Sequence, residues 1–471
     1  MTSRSSSQQI RKKLHLAAHF PGVNSTTVWS DPTSGSQTDF ASFVHLARTA
    51  ERGKFDFFFL AEGLRLREQQ GRIFDLDVVG RPDSLTVLAA LAAVTEHIGL
   101  AATLNTTFNE PFELARQFAT LDHLSGGRAA WNAVTSPDAF TGENFRRGGF
   151  LERDDRYGRA DEFVETARLL WDSWADGAVV ADRERGVLVD PSAVAPFAHH
   201  GPQFAIEGDF DVPRSPQGHP VLIQAGDSDG GRELAAKHAD VIFSRHSGLT
   251  DGQAFYADVK GRLDRYGRQR DDLKIIPAAT AVVADSDAEA AELARHIRYQ
   301  QVSRQGAIAF AEQVWGRDLS GYDPDGPVPD IEPDVDGAGS IVRGRVRHDG
   351  EPLKVAARWR ELAARKGLSL REVVIEVTSR ASFVGSPATV AEAIDRYVQA
   401  DAADGYILVP HLTPHGLDRF VDDVVPLLQE RGVFRADYDG TTLRDHLGLA
   451  RPVGRPAAPV PETALVRSSR G

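Results

Sequence analysis

Eight short apolar segments separated by helical segments constrain the fold of this chain most strongly. The segment FDFFFL at 55–60 is a near-continuous apolar run, which is typical of a parallel strand buried on both faces. Similar runs predict strands at 14–20, 97–104, 128–134, 221–223, 241–243, 273–283 and 405–410. Because amphipathic helical segments alternate with these strands, the sequence predicts an α/β fold of the (β/α)₈ TIM-barrel type. A doubly wound parallel sheet is the second candidate.

The length of 471 residues fits one such barrel with an insertion. The predicted organisation is a flexible N-terminal tail at 1–13, a single barrel domain at 14–450 and a flexible C-terminal tail at 451–471. The alternation breaks at 316–350, where four prolines stand between 324 and 333 among many aspartates. This acidic insertion between strands seven and eight is the candidate lid of the active site.

Composition excludes several classes of function. The net charge of -13, without a basic stripe, excludes nucleic acid and anionic membrane surfaces as expected partners. The absence of cysteine excludes disulfides, thiolate metal sites and a cysteine nucleophile, and it fits a cytoplasmic protein. No window approaches the ~18 apolar residues of a membrane span. His15 with His19 and His411 with His415 are four residues apart, but in extended or proline-broken segments, so no metal site is predicted.

The segment 219–244 has the pattern of a strand, a glycine-rich turn, a helix and a second strand. Free amides at the start of such a helix suit an anion, usually phosphate, and here Ser228 adds a hydroxyl and Arg232 a positive charge. A second interpretation is an ordinary loop in which Asp or Ser caps the helix.

A third interpretation of the same turn is a serine nucleophile. Gly226-Asp227-Ser228-Asp229-Gly230 matches the G-x-S-x-G elbow of α/β-hydrolases. Asp401 or Asp404, with His411 or His415, follows in the order that such a triad requires. However, no oxyanion loop of the His-Gly-Gly-Gly type precedes Ser228, and the aspartates on either side of it oppose a developing negative charge.

Polar residues stand where the predicted strands end, which is the side on which barrel enzymes place their active sites. In chain order they are His19, Glu62, Thr103, Asn105, Asn132, Thr135, Ser228, His246 and His411. Each of them alone also has a structural explanation, such as a local side-chain to backbone hydrogen bond. Together they predict an active site at this mouth of the barrel.

Five segments carry a resemblance to a known family. They are FDFFFLAEGL (55–64), TFNEPFELARQFATLDHLSGGRAAWNAVTS (107–136), RYGRADEFVETARLLWDSW (156–174), QAGDSDGGRELAAKHADVIF (224–243) and GSPATVAEAIDRYVQADAADGYIL (385–408). With them, nearly the whole chain from Leu14 to Arg431 resembles the flavin-dependent monooxygenases of the bacterial luciferase-like superfamily. The branch that it resembles contains the nitrilotriacetate and dibenzothiophene-sulfone monooxygenases.

The resemblance implies a two-component monooxygenase. In that family, FMNH₂ comes from a separate NAD(P)H:flavin reductase and reacts with O₂ to a flavin C4a-(hydro)peroxide, which oxidises a small organic substrate. It also implies a homodimer or homotetramer. Since no G-x-G-x-x-G motif follows a strand, the chain itself has no predicted Rossmann nicotinamide site. A serine hydrolase using the Ser228 elbow and a non-catalytic flavin-binding protein remain as alternatives.

The family's flavin contacts are carried over residue by residue. They fall on Glu62, Thr103, Arg153, Tyr157, Asp227 and Ser228, with the phosphate expected near Ser228 and Tyr157. Asn132, at the end of the fourth strand, is a further candidate for binding the cofactor. Three positions depart from the branch, which usually has Asp at 62, often His at 153 and often a small residue or Ser at 227. His19 and His411 are hypothesised to act on the oxygen adduct or the substrate because both stand at strand ends.

Overall fold

The structure, a computed structural model, describes residues 11–74, 79–136, 139–145, 153–246, 248–336, 342–343, 351–379 and 382–454. Eight parallel strands, one of them in two halves, form the barrel part of its central sheet. They are β1 (His15–Phe20), β2 (Phe57–Leu60), β3 (Gly99–Asn105), β4 (Ala129–Val134), β5 (Val221–Ala225), β6 (Val241–Phe243), β7 (Lys274–Ile275 and Ala278–Val283) and β8 (Gly405–Leu408). The predicted strands are therefore present, with ends that shift by at most two residues.

Strand β7 closes the sheet into a barrel because its two halves bond to opposite neighbours. The amide of Ile276 donates to the Ile242 carbonyl in β6 at 3.0 Å, while the amide of Ile407 in β8 donates to the Pro277 carbonyl at 3.0 Å. One segment thus joins both ends of the ladder, as a closed (β/α)₈ barrel requires. The doubly wound sheet, which is open, is excluded.

Alternation along the strands separates the interior of the barrel from its outer layer. Phe58, Leu100 and Trp131 pack in one cluster with residues of the surrounding helices, so they face outwards. Their neighbours Phe57, Phe59, Ala101 and Ala130, together with Ile223 and Ile407, form a separate buried cluster inside the barrel. Because successive side chains of a strand point to opposite faces, this register also decides which polar residues reach the interior.

The helices lie outside the sheet, apart from Leu443–His446, which lies at one end of the barrel. They span Phe40–Arg52, Ser84–Ala92, Pro111–Ser125, Ala139–Gly142, Arg153–Trp171, Asp229–His238, Leu249–Arg262, Asp287–Gln301, Arg304–Trp315, Pro352–Lys366, Leu370–Thr378, Pro387–Gln399, Val425–Glu430 and Leu443–His446, with a π-helical turn at Phe420–Val424 and short 3₁₀ turns at Pro191–Ala193, Leu263–Tyr266, Arg270–Asp272 and His415–Leu417. None of the helices in the described ranges is both long and apolar enough to cross a membrane.

Short strands outside the barrel were not predicted. Val179–Asp182 pairs with Val187–Val189 and Phe197–His200 with Ala205–Gly208 in two antiparallel hairpins, which fill the polar stretch between β4 and β5. Glu68–Gln69 pairs with Arg72–Ile73 and with Val342–Arg343. Ser382–Gly385 adds a parallel edge strand beside β7.

Between β7 and β8 the chain forms a helical layer with its own hydrophobic core. Helices Arg304–Trp315, Pro352–Lys366 and Leu370–Thr378 enclose this core around Trp315 and Trp359. The described part of the predicted insertion, 316–336, packs on this layer: the Trp315 indole donates to the Ile331 carbonyl at 2.7 Å. The remainder of 316–350, apart from 342–343, lies outside the described residues, so the lid remains a prediction.

Both predicted tails have described residues that contact the barrel. Lys13 donates to the Gly432 carbonyl at 2.7 Å, and Arg451 pairs with Asp176 at 2.6 Å. Residues 1–10 and 455–471 lie outside the described residues. Before this C-terminal stretch, Leu443 and Leu447 join the cluster inside the barrel at the end opposite the predicted mouth.

Candidate functional site

The register of the barrel directs most of the predicted strand-end residues into its interior. His19 lies two residues after Ala17, Thr103 two residues after Ala101, and Asn132 two residues after Ala130, and these alanines belong to the interior cluster. Since side chains alternate along a strand, the polar residues share the inward face at its carboxyl end. The structure thus places the predicted residues of β1, β3 and β4 around one mouth.

Glu62 and Asn105 form the first pair at this mouth. The Asn105 side-chain amide donates to both carboxylate oxygens of Glu62 at 3.1 Å, and Asn105 is fully buried. Burial raises the pKa of Glu62 to about 7, although the hydrogen bonds from Asn105 favour the charged form. Glu62 can therefore hold or release a proton near neutral pH, which an exposed glutamate cannot do.

Thr103 and Asn132 form the second pair. The Asn132 amide nitrogen donates to the Thr103 hydroxyl at 3.0 Å, and both side chains are buried. The other amide atom of Asn132, Oδ1, is buried without a hydrogen-bond partner among the described residues. A buried acceptor without a donor is costly, so this atom points to a ligand or water that donates a hydrogen bond here.

Tyr157 and Ser228 meet where helix Asp229–His238 begins. The Tyr157 hydroxyl lies 2.7 Å from Ser228 Oγ, which also accepts a hydrogen bond from the Gly231 amide at 3.2 Å. A side chain at Gly230 would place its Cβ 3.0 Å from the Tyr157 ring. The glycine therefore lets the tyrosine lie against the first turn of the helix, with two hydroxyls beside its free amides.

The charges around this turn differ from the prediction. Arg232, proposed as a positive charge for the anion, donates to the Asp227 carbonyl and pairs with Asp258 at 2.7 Å. The Asp227 carboxylate accepts from Arg245 at 3.0 Å, so its charge is paired rather than directed at the helix amides. Among the described residues, hydroxyls and backbone amides rather than Arg232 face an anion here.

Three histidines, His19, His246 and His411, follow the ends of barrel strands. The first two lie against aromatic rings, and burial affects the third. The His19 ring packs edge-on against Phe59 at 5.1 Å, and the His246 ring lies 4.3 Å from Phe255. Burial lowers the pKa of both His246 and His411. These two histidines are therefore neutral at pH 7 and have a nitrogen that can accept a proton.

Comparison with known proteins identifies the family. Residues 22–404 match the model of the family described as luciferase-like monooxygenase. The chain belongs to the luciferase-like monooxygenases. This match confirms two predictions from the sequence: the resemblance to the luciferase-like superfamily, and the activity of a flavin-dependent monooxygenase.

Individual relatives of this luciferase-like monooxygenase match over most of their length. Nitrilotriacetate monooxygenase component A of Aminobacter aminovorans is 41% identical, over 90% of this chain and 92% of the relative. Dibenzothiophene-sulfone monooxygenase of Rhodococcus erythropolis (strain XP) is 38% identical over 94% and 98%. The crystal structure of riboflavin lyase with modified FMN and substrate riboflavin matches with a TM-score of 0.76 and 30% identity, over 94% of this chain and 98% of that one.

The serine hydrolase interpretation is wrong for this luciferase-like monooxygenase. Asp404 precedes β8, at the opposite end of the barrel from Ser228, and it binds Lys260 and Tyr256 there. Asp401 pairs with Lys12 at the same end. Ser228 instead caps its helix and contacts a tyrosine, so no catalytic triad is assembled around it within the described residues.

For two of the predicted site residues, Arg153 and Thr135, the described part of the structure gives no contact at the site. Helix Arg153–Trp171 begins at Arg153, but the Arg153 side chain lies outside the described residues. Thr135 follows β4 without a described role.

Sequence reasoning missed two arginines of the mouth. Arg245 neutralises Asp227, and Arg81 donates to the carbonyls of Pro21 and Glu62, which joins the loops after β1 and β2. Arg245 comes two residues after a predicted strand and could have been found by that rule. Arg81 lies in a loop far from any strand end, and no sequence pattern marks it.

Proposed function

We propose that this chain is the oxygenase of a two-component, FMN-dependent monooxygenase. It takes FMNH₂ from a separate NAD(P)H:flavin reductase and uses O₂ to oxidise a small organic substrate. The observation that carries the proposal is the pair of hydroxyls, Tyr157 and Ser228, at the start of helix Asp229–His238. A helix N-terminus with converging hydroxyls at the mouth of a (β/α)₈ barrel suits a phosphate group.

The residues present fit FMN at both ends of the molecule. Ser228, Tyr157 and the amide of Gly231 would hold the phosphate. Asn132 Oδ1, which has no hydrogen-bond partner among the described residues, could accept a hydrogen bond from the ring system of a flavin bound in the barrel. Bound FMN supplies the oxygen chemistry, and the protein positions it and excludes water.

The interior aromatics support exclusion of water. The ring of Phe59 lies 4.8 Å from that of Phe243 and 5.1 Å from that of His19, so the inward side of β1, β2 and β6 is apolar next to the histidine. An apolar wall around a reactive centre slows its hydrolysis and strengthens the electrostatic interactions within it.

The relatives support the cofactor and the partner. Riboflavin lyase, 30% identical, has been solved with a modified FMN, and the nitrilotriacetate monooxygenase relative is named as component A. The lack of a G-x-G-x-x-G motif after a strand agrees with flavin that arrives already reduced. We also propose that the enzyme is cytoplasmic, which its lack of cysteine fits, and that it forms a homodimer or homotetramer, as the resemblance to the family implies.

Anaerobic titration tests the cofactor. The protein should bind photoreduced FMN more tightly than reduced riboflavin, since only FMN carries the phosphate, by about 10-fold or more. Equal affinity for the two flavins would show that the helix N-terminus does not bind phosphate.

A second assay tests the partner. The purified chain mixed with FMN and NADH or NADPH should oxidise the nicotinamide no faster than a blank without protein. Addition of an unrelated flavin reductase should then start flavin-dependent oxygen consumption. Direct reduction of FMN by the chain alone would remove the two-component part of the proposal.

We further propose that His19 or His411 moves a proton during oxygenation. His411 is neutral because burial lowers its pKa, and its Nδ1 is buried without a hydrogen-bond partner among the described residues. Such a nitrogen can accept a proton from a reacting group. Alanine at either position should slow substrate oxidation more than FMNH₂ binding. Unchanged oxygenation rates in both variants would contradict this role.

A further inference from the structure

A group of two histidines and one aspartate lies outside the barrel, apart from the flavin site. His45 is on helix Phe40–Arg52, His415 begins the 3₁₀ turn His415–Leu417 after β8, and Asp418 directly follows that turn. His45 Nε2 lies 2.9 and 3.0 Å from the two carboxylate oxygens of Asp418, and His415 Nδ1 lies 3.0 Å from Oδ2. One nitrogen from each histidine and one carboxylate oxygen all lie within 4.8 Å of one another.

The carboxylate of Asp418 is held in place by a fourth side chain. Thr49, one helical turn after His45, donates from its hydroxyl to Asp418 Oδ1 at 3.1 Å. Burial opposes the charged carboxylate, but hydrogen bonds from His45 and His415 lower the pKa of Asp418 below its usual range. A metal-binding carboxylate is commonly oriented by such an outer hydrogen bond.

Within the described part of the chain, no arginine or lysine forms an ion pair with Asp418. The nearby arginines bind other carboxylates: Arg52 pairs with Asp422, and Arg419 pairs with Asp285 and Asp423. The charge partners of Asp418 are therefore the two imidazoles.

A second group, Asp161, Glu165 and His238, has a different arrangement. Its acids are bound by the Lys237 ammonium, at 2.7 Å from Asp161 and 2.9 Å from Glu165. A cation already stands where a metal ion would bind. In the histidine–aspartate group, by contrast, no lysine or arginine of the described ranges occupies that position.

We propose that His45, His415 and Asp418 bind one Zn²⁺ ion. Two imidazole nitrogens and one carboxylate oxygen are a ligand set that zinc uses, with water in a fourth position. Zinc–ligand bonds of about 2.0–2.2 Å place tetrahedral ligand atoms about 3.3 Å apart, so the observed nitrogen–oxygen separations need to widen by only a few tenths of an ångström. His415 is half-exposed, which gives the ion a path from solvent.

The ion ties the loop after β8 to the first helix. His415 stands four residues after His411, and this loop also bonds to the chain after β1 through Val28 and Gly35. A metal ion on His415 and Asp418 therefore adds a further anchor to the segment that carries His411 at the barrel mouth. This structural role does not depend on the flavin function.

Competition with a chromophoric chelator tests the site on the full chain after removal of bound metal. We expect one Zn²⁺ per chain, with affinity reduced by about 100-fold or more in His45→Ala, His415→Ala and Asp418→Asn. Because the chain has no cysteine, thiolates do not contribute to the background. His200→Ala and Asp161→Asn, which lie outside the proposed ligands, serve as controls and should bind as the parent does.

Cobalt provides an independent readout. Co²⁺ added to the parent should give the strong visible absorption of a four-coordinate ion, and His415→Ala should abolish it. The half-exposed His415 can be replaced without disturbing the core, so loss of folding does not explain that result. Equal zinc affinity in parent and Asp418→Asn, or a cobalt spectrum unaltered in His415→Ala, would overturn the proposal.

Discussion

Replacement of Tyr157 by phenylalanine separates the phosphate site from the rest of the flavin site. The ring keeps its place against Gly230, and only the hydroxyl 2.7 Å from Ser228 Oγ is lost. A hydrogen bond to a charged group contributes about 1.5–3 kcal/mol, which corresponds to roughly 10- to 150-fold in affinity. Since the hydroxyl gives up its bond to Ser228, worth about 1 kcal/mol, when it turns to phosphate, the expected net loss is about 0.5–2 kcal/mol, or roughly 2- to 30-fold in affinity.

The assay is an anaerobic titration of parent and Tyr157→Phe with photoreduced FMN and, separately, with reduced riboflavin. The dissociation constant for FMNH₂ should rise, and that for reduced riboflavin should not, because riboflavin has no phosphate. Tyr266→Phe removes a hydroxyl that donates to Glu233 at 2.6 Å and serves as the control. An FMNH₂ dissociation constant within about 2-fold of the parent, or an equal loss for riboflavin, would refute the reasoning.

Three further predictions concern stability. Because burial raises the pKa of Glu62 to about 7, its ionisation opposes folding, and the unfolding free energy should fall by up to about 3 kcal/mol as pH rises from 4.5 to 7. Glu62→Gln should lose this slope in urea unfolding, and an unchanged slope would contradict the assignment. Lys260→Met leaves the Asp404 carboxylate without its buried partner at 2.9 Å and should cost about 3–5 kcal/mol; a loss under about 1 kcal/mol would show that solvent compensates. A Cβ at Gly405 would clash with the backbone of β1, so Gly405→Ala should lower the melting temperature, whereas the exposed Gly158→Ala, with open space around its Cβ, should not; equal effects would contradict the packing.

Apolar strand patterns predicted the barrel because both faces of its strands are buried. FDFFFL and the strand-end polar residues carry this signal in the sequence alone. A helix after the glycine-rich turn was also expected, with Asp or Ser as one possible cap, and Ser228 is that cap. The break in β7 at Ile276 and Pro277 was not visible, since an apolar run does not reveal which neighbour each half bonds to. Closure of a barrel is a tertiary property.

Other features depend on residues far apart in the chain. His45 and His415 are 370 residues apart and meet only because the loop after β8 returns to the first helix. The helix Arg304–Trp315 buries one of its sides against a layer that the chain forms later, and the sequence before it gives no sign of that partner. The pairing of Arg232 with Asp258 likewise required the neighbouring helix to be placed.

The central claim is that reduced FMN binds inside this barrel and reacts with oxygen there, shielded from water. The direct measurement is to load the protein with photoreduced FMN without oxygen, mix it rapidly with aerated buffer and record the flavin absorbance. The account predicts an absorbing species that differs from reduced and oxidised FMN and outlasts the oxidation of free flavin. Oxidation in a single phase at the rate of free FMNH₂ would contradict it.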